Sequence, residues 1–193
     1  MTRTLIASVN VSIDGFSAGP GDDMSWLGPH IAALAPVFEG LWRGADTAVI
    51  GRTNFVGFEA YWPAVAADPA ADPGADPRDA DLARWLDDVE KVVVSRTLET
   101  TTWRNSRVAR DLLGEVRALK EAPGRDIMVL NSASVIRQLL AAGLVDDLRV
   151  NLMPEIVGGG LRLFDSVPRS SWTLAGSATS GVGTVSLRYV PVS

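Results

Sequence analysis

The 193-residue chain contains no cysteine. That excludes disulfides, thiol nucleophiles and cysteine-held zinc or iron–sulfur centres, and it fits a cytoplasmic protein. Histidine occurs once, at His30, so no multi-histidine metal site can be built. A Ser-His-Asp triad would have to use that residue without the G-x-S-x-G elbow that normally presents the serine. No cluster of Lys and Arg stands out in a chain of net charge −5, which argues against nucleic acid and membrane surfaces as partners. No apolar run approaches the ~18 residues of a membrane span. The N-terminal "TLIASVNVSIDG", broken by Ser8 and Asn10, reads as a first strand and not as a signal peptide. The G-x-G-x-x-G fingerprint of standard dinucleotide folds is also missing.

What is present describes one globular domain spanning 1–193, with 47% hydrophobic and 21% charged residues and enough chain to bury a core. Apolar, β-branched stretches predict strands at 4–12, 47–51, 91–95, 126–130, 147–153, 172–178 and 184–191. Helical spacing predicts helices at 31–43, 80–88, 111–120 and 134–142. The first would bury Ile31, Leu34, Phe38, Leu41 and Trp42 and start close to Pro36. The third starts at an Asp111 cap, and the fourth ends before Gly143. Strands alternating with helices imply an α/β fold with a mostly parallel sheet, and the closing "WTLAGSATSGVGTVSLRYV" reads as an antiparallel hairpin at its edge. Residues 68–81, "DPAADPGADPRDAD", read as an exposed acidic loop. Gly158-Gly159-Gly160 reads as a tight turn, or a place where backbone approaches a ligand or a partner subunit.

In an open α/β sheet, ligands bind outside the carboxyl ends of the strands, so the informative residues are those just after strands. Four strand ends carry such residues. "SIDGFSAGPGDDMSW" is a glycine loop with Phe16 and Trp26 as apolar cover. "VIGRTNF" places Gly51, Arg52 and Thr53 after a strand, where an arginine fork and a hydroxyl suit a phosphate. "VVVSRTLE" repeats the pattern with Ser95, Arg96 and Thr97, and two such arginines would clamp a 2′-phosphate. "IMVLNSASVIRQLL" runs from strand to helix through Asn131, Ser132, Ala133, Ser134 and Val135, whose free N–H groups would face an anion. Ordinary capping, solvated arginines and a plain surface loop are the alternatives at each position. Together the four ends suit a nucleotide laid across one sheet.

These stretches carry a resemblance. "SVNVSIDGFSAG", "DTAVIGRTNFVGFEAYWP", "KVVVSRTLE" and "DIMVLNSASVIRQLLAAGLVDDLRVNLMPEIVGGGLRLF" occur in the order found in the dihydrofolate reductase-like superfamily. Within it, the chain most resembles the reductase domain of the bifunctional riboflavin-biosynthesis deaminase/reductase. The resemblance covers most of residues 4–164. It implies a central sheet of about eight strands with flanking helices, NADPH as cofactor, hydride transfer, and a homodimer. It places Gly51–Thr53 against the nucleotide phosphates, Ser95–Thr97 near the adenosine 2′-phosphate, Ser132–Val135 at the pyrophosphate, and the "SIDGFSAG" loop over the nicotinamide.

The departures bear on substrate. Asn131-Ser132 replaces the usual glycine. "WLGPHIAAL" lacks the carboxylate that folate reductases carry on the first helix, and Leu130 stands where riboflavin enzymes carry an acidic residue. Both absences argue against a pterin or an aminopyrimidine. Asp14 is the loop's carboxylate and the candidate catalytic residue, placed to orient substrate or water; the alternative is a turn-former. His30 is a candidate proton donor and, with Phe16 and Trp26, a candidate substrate contact; the alternative is a partly exposed residue at a helix start. Trp42, Trp62, Trp85, Trp103 and Trp172 are expected in the core or at a subunit interface. The expected activity is NADPH-dependent reduction of a small C=N or C=O compound. The rival is a non-catalytic dimer that binds a nucleotide or small molecule.

Overall fold

A computed structural model describes residues 2–68 and 79–192. Ten strands are formed: β1 Leu5–Ser12, β2 Phe16–Ala18, β3 Ala45–Gly51, β4 Glu90–Val94, β5 Ser106–Ala109, β6 Asp126–Leu130, β7 Asp147–Met153, β8 Leu161–Arg162, β9 Trp172–Thr179 and β10 Val185–Pro191. Five α-helices accompany them: α1 Gly28–Trp42, α2 Arg52–Ala67, α3 Asp79–Asp88, α4 Leu112–Glu121 and α5 Ala133–Ala141. Eight strands make one sheet in the order β5-β4-β3-β6-β1-β7-β10-β9, while β2 and β8 pair separately. β5 through β7 run parallel; β10 and β9 are antiparallel, as the closing hairpin pattern predicts.

Strand alternation divides the core into two layers. Leu5, Ala7, Val9 and Val11 of β1 face α4 and α5. Ile6 faces the other way, into a layer that α1, α2 and α3 close with Leu41, Trp42, Phe55 and Leu86. The inner parallel strands β3, β6 and β1 are covered on both sides, which is why they read as largely apolar runs. At α4 the Asp111 carboxylate accepts from Gly114 N at 3.1 Å, the cap expected from sequence.

Several elements differ from expectation. α2 is sixteen residues long and no helix was predicted over that span; Gly57 and Pro63 lower its intrinsic propensity, and burial of Phe55 and Val65 holds it. β5 is four residues with an exposed Arg107, too short for a periodic signal. α1 begins at Gly28 and carries Pro36 inside it, because Leu34 on one side and Leu41 and Trp42 on the other pack it down. Ile31, expected to be buried, is 49% exposed. Most of the acidic loop, residues 69–78, lies outside the described residues, and α3 already occupies 79–81. Gly160, at φ +111°, lies where a Cβ would collide with the backbone of Ala18 and Gly19. The triple glycine therefore admits the chain's own β2 loop. Among the described residues no helix is long and apolar enough to cross a membrane, and no group of three metal-ligating side chains occurs.

Candidate active site

A cavity of about 1300 Å³ opens over the carboxyl ends of β4, β3, β6 and β1. Three of the four strand-end segments singled out by sequence line it throughout: Gly51–Thr53, Ser95–Thr97 and Asn131–Val135. It exceeds the ~300–1,000 Å³ of an ordinary small-molecule pocket, so two ligands can lie in it side by side.

The β6–α5 turn shows how a strand feeds a helix without glycine. Asn131 adopts φ +44°, the left-handed conformation that asparagine tolerates best after glycine. Its backbone N–H donates to Ser8 O at 2.9 Å, and its side-chain Oδ1 accepts from Asn10 N at 3.1 Å. Asn54 of α2 donates to the Asn131 carbonyl at 2.8 Å. Ser132 is buried; its hydroxyl donates to Leu130 O at 2.8 Å and accepts from Gly51 N at 2.9 Å, stitching β3 to β6. A Cβ at Gly51 would lie 3.3 Å from Val135 Cγ2, closer than ordinary contact. With the Ser132 hydroxyl so engaged, α5 has no side-chain cap. The N–H groups of Ser132, Ala133 and Ser134 have no acceptor among the described residues, and the residues themselves line the cavity. Unpartnered first-turn donors beside a cavity form an anion seat.

Three guanidinium groups join them. Arg52 and Arg96 are exposed, line the cavity and have no ion-pair partner among the described residues. The buried Ser95 hydroxyl accepts from Thr97 N at 3.2 Å and Leu98 N at 2.8 Å, a turn that presents Arg96 outward. Arg110, at the end of β5, donates to Ser95 O at 2.8 Å and also reaches the cavity. Sequence reading missed Arg110 because it missed β5; "SRVAR" repeats the strand-then-arginine signal in five residues.

Of the first loop, Ser17, Ala18, Asp22 and Met24 line the cavity, whereas Asp14, Phe16 and Trp26 do not. The Asp14 carboxylate accepts from Ser12 Oγ at 2.6 Å, Val157 N at 3.1 Å and Gly158 N at 2.7 Å. The Ser12 hydroxyl, followed by the two backbone amides, draws its pKa down to about 2. Asp14 ties the first loop to the chain after β7. Held by three donors and absent from the cavity lining, this carboxylate acts as a clasp, apart from the cavity in which the expected catalytic role would need it. Phe16 is buried, with the Arg162 guanidinium 4.5 Å above its ring. Trp26 donates its indole N–H to Asp23 O at 3.2 Å. His30 is buried and meets Glu155 Oε1 through Nε2 at 2.8 Å, while its Nδ1 has no partner. None of the three lines the cavity. Trp42 and Trp62, expected in the core or at an interface, do reach it.

The floor of the cavity was not foreseen. Asn10 of β1 lies opposite Asn151 of β7, which lies opposite Ser186 of β10. The Ser186 hydroxyl donates to Asn151 Oδ1 at 2.8 Å, and Asn151 Nδ2 donates to Asn10 Oδ1 at 2.9 Å. All three side chains are buried, and Asn10 and Asn151 line the cavity. The chain of bonds ends on Asn10 Nδ2, which is not among the buried polar atoms lacking a partner and so opens to the cavity.

The fold and the strand-end site have counterparts among known proteins. Residues 3–186, nearly the whole chain, match one family. The chain belongs to the RibD C-terminal domain family. A relative within reach of sequence comparison is the uncharacterised protein YyaP of Bacillus subtilis (strain 168), 28% identical over 190 residues, covering 97% of this chain and 94% of that one. Among solved structures, a putative riboflavin biosynthesis protein from Shewanella sp. PV-4 superposes with a TM-score of 0.72 at 18% identity, each chain covered completely. The Thermotoga maritima diaminohydroxyphosphoribosylaminopyrimidine deaminase/5-amino-6-(5-phosphoribosylamino)uracil reductase gives 0.67 at 14% identity, over 99% of this chain and 57% of that one. Dihydrofolate reductase from Enterococcus faecalis, complexed with NADP(H), gives 0.62 at 14% identity with both chains covered. The RibD C-terminal domain family thus has here a dihydrofolate reductase-like fold: a mostly parallel eight-stranded sheet with flanking helices and antiparallel C-terminal strands.

Proposed function

We propose that this protein is an NADPH-dependent reductase that delivers hydride to a small C=N or C=O compound. One observation carries the reading: Arg52, Arg96 and the unpartnered N–H groups of Ser132–Ser134 line one cavity at adjoining strand ends. Such donors fit a dinucleotide, with the first turn of α5 toward a pyrophosphate and the arginines toward a further phosphate. The family and the nicotinamide-bound Enterococcus faecalis neighbour support the same class of chemistry. When bound, the reduced nicotinamide supplies the hydride. This chain's share is to hold the phosphates, to keep the cavity floor dry between buried Leu130 and Asn10, and to orient the acceptor.

Titration with NADPH and with NADH, followed by nicotinamide fluorescence, tests the reading. Saturation by NADPH is expected; no binding of either cofactor at millimolar levels refutes it. The reading includes a homodimer. β9 is the outermost strand and leaves Leu174 53% exposed, which supports pairing with a second copy. Light scattering after size exclusion checks this, and a monomer across the micromolar range removes it.

A further inference from the structure

Away from the arginines, the cavity changes character. Its wall is made by Leu27 just before α1, by Ile31, Leu34 and Phe38 of α1 and by Phe58 and Trp62 of α2. Phe58 and Trp62 stand edge to face, with centroids 6.2 Å apart. Three carboxylates reach the cavity; two are paired with arginines, and the third, Asp22 on the first loop, is solvent-exposed with no ion-pair partner among the described residues. Glu39 accepts from Arg43 Nε at 2.8 Å, and Asp81 is held by Arg43 at 3.1 Å and by Arg84.

The buried amides lie at the foot of this wall. Asn10 sits on the sheet face toward α1, by alternation from Ile6. Met153, two residues beyond Asn151 on the same face of β7, packs with Leu27 and Leu34. On its other side, Asn10 N bonds the Asn131 side chain of the anion seat. Asn10 therefore stands at the junction of the donor-lined and apolar parts of the cavity. The Ser186–Asn151–Asn10 chain sets its amide so that Nδ2 points out as a donor.

We infer that the apolar part is a substrate subsite for an uncharged, flat, ring-sized carbonyl compound, whose carbonyl oxygen accepts a hydrogen bond from Asn10 Nδ2. A charged ligand would lose its hydration against a wall whose own side chains carry no charge. A planar ring fills the slot between helix-borne aromatic and branched side chains. A single amide donor fixes which end of the ring faces the dinucleotide region. Calling this ligand the substrate rests on the reductase reading; the subsite itself does not.

The test is titration of the protein alone with menadione (2-methyl-1,4-naphthoquinone), followed by quenching of tryptophan fluorescence. Saturable quenching is expected with Kd at or below about 100 μM, an ordinary efficiency for a ligand of this size. Asn10→Ala should weaken binding about 3- to 10-fold, the loss of one neutral hydrogen bond. Asn10→Asp, nearly the same shape but without the donor, should weaken it at least as much, so that lost packing is separated from a lost bond; near-UV circular dichroism verifies that both variants fold. Protonated 2,4-diaminopyrimidine should bind more weakly than menadione. No saturation by 1 mM menadione, tighter binding of the cation, or wild-type affinity in both Asn10 variants overturns the subsite. Failure of NADPH to bind while menadione binds normally removes the reductase reading and leaves the subsite standing.

Discussion

The two parts of the cavity are made by different means. The donor-lined part uses contiguous residues immediately after strands, and its chemistry is largely backbone N–H and arginine. The apolar part uses side chains spaced along two helices, plus an amide that is defined only by strands β7 and β10 beside it. Backbone donors at a helix start depend little on which side chain follows, so that part can stay constant across a fold. Side chains on α1 and α2 can change without disturbing the sheet. On the proposed reductase reading, cofactor grip and substrate choice are thereby separable within one cavity.

The sharpest way to break this comparison is to remove both free arginines. Arg52→Ala combined with Arg96→Ala should weaken NADPH on the order of 100-fold, as expected for lost charge-assisted bonds to phosphate. Menadione affinity should not change; parallel loss of both ligands would show one undivided site. The converse change is Ile31→Glu, which returns a carboxylate to α1 at a position exposed enough to accept it. It should weaken menadione roughly 10-fold by placing a hydrated charge on the apolar wall, and should strengthen 2,4-diaminopyrimidine, while NADPH titrates as in the wild type.

Smaller effects sharpen the donor side. Arg96→Ala alone should weaken NADPH about 10-fold and NADH little; equal weakening would put Arg96 away from the 2′-phosphate. Asn131→Ala forces a Cβ residue to hold φ +44° without the side-chain bond to Asn10 N. Urea unfolding should show a loss of about 1–2 kcal/mol, whereas Asn131→Gly should lose less. The smallest effect concerns the Asp14 clasp. Its folded pKa of about 2 lies below the ordinary 3.8. The contact thus contributes fully above the unfolded value and is lost as pH falls through the folded one. Thermal melts should therefore fall more steeply between roughly pH 4 and 2 for the wild type than for Asp14→Asn, with no change in hydride transfer at neutral pH beyond that caused by loop stability.

How much was legible follows from the same contrast. Gly51-Arg52-Thr53, Ser95-Arg96-Thr97 and Asn131–Val135 announce themselves because each breaks an apolar run with small, hydroxyl or cationic residues. Their convergence on one cavity follows from the parallel sheet that the alternating pattern implies. Phe16, Trp26 and His30 were read from their nearness to the glycine loop. That loop folds back on the chain after β7, where Asp14 and His30 meet Val157, Gly158 and Glu155. For these residues nearness along the chain did not become a place in the cavity lining, although Ser17, Ala18, Asp22 and Met24 of the same loop have one. Asn10 looked like an interruption of a strand, since its partners lie far along the chain: Asn151 is 141 residues away, and Ser186 a further 35.

The order of residues alone was enough to set the α/β class, the parallel run with its antiparallel end, and the anion-seeking strand ends. Those rest on local periodicity and on short segments whose function is carried by backbone and by contiguous side chains. Tertiary structure decided that Asp14 is a clasp, that α2 supplies a wall, that Arg110 joins two other arginines, and that Asn10 is a directed donor. Each of these depends on a partner distant in sequence, and a hydrogen bond or an apolar contact has no meaning until both partners have been brought within a few ångströms.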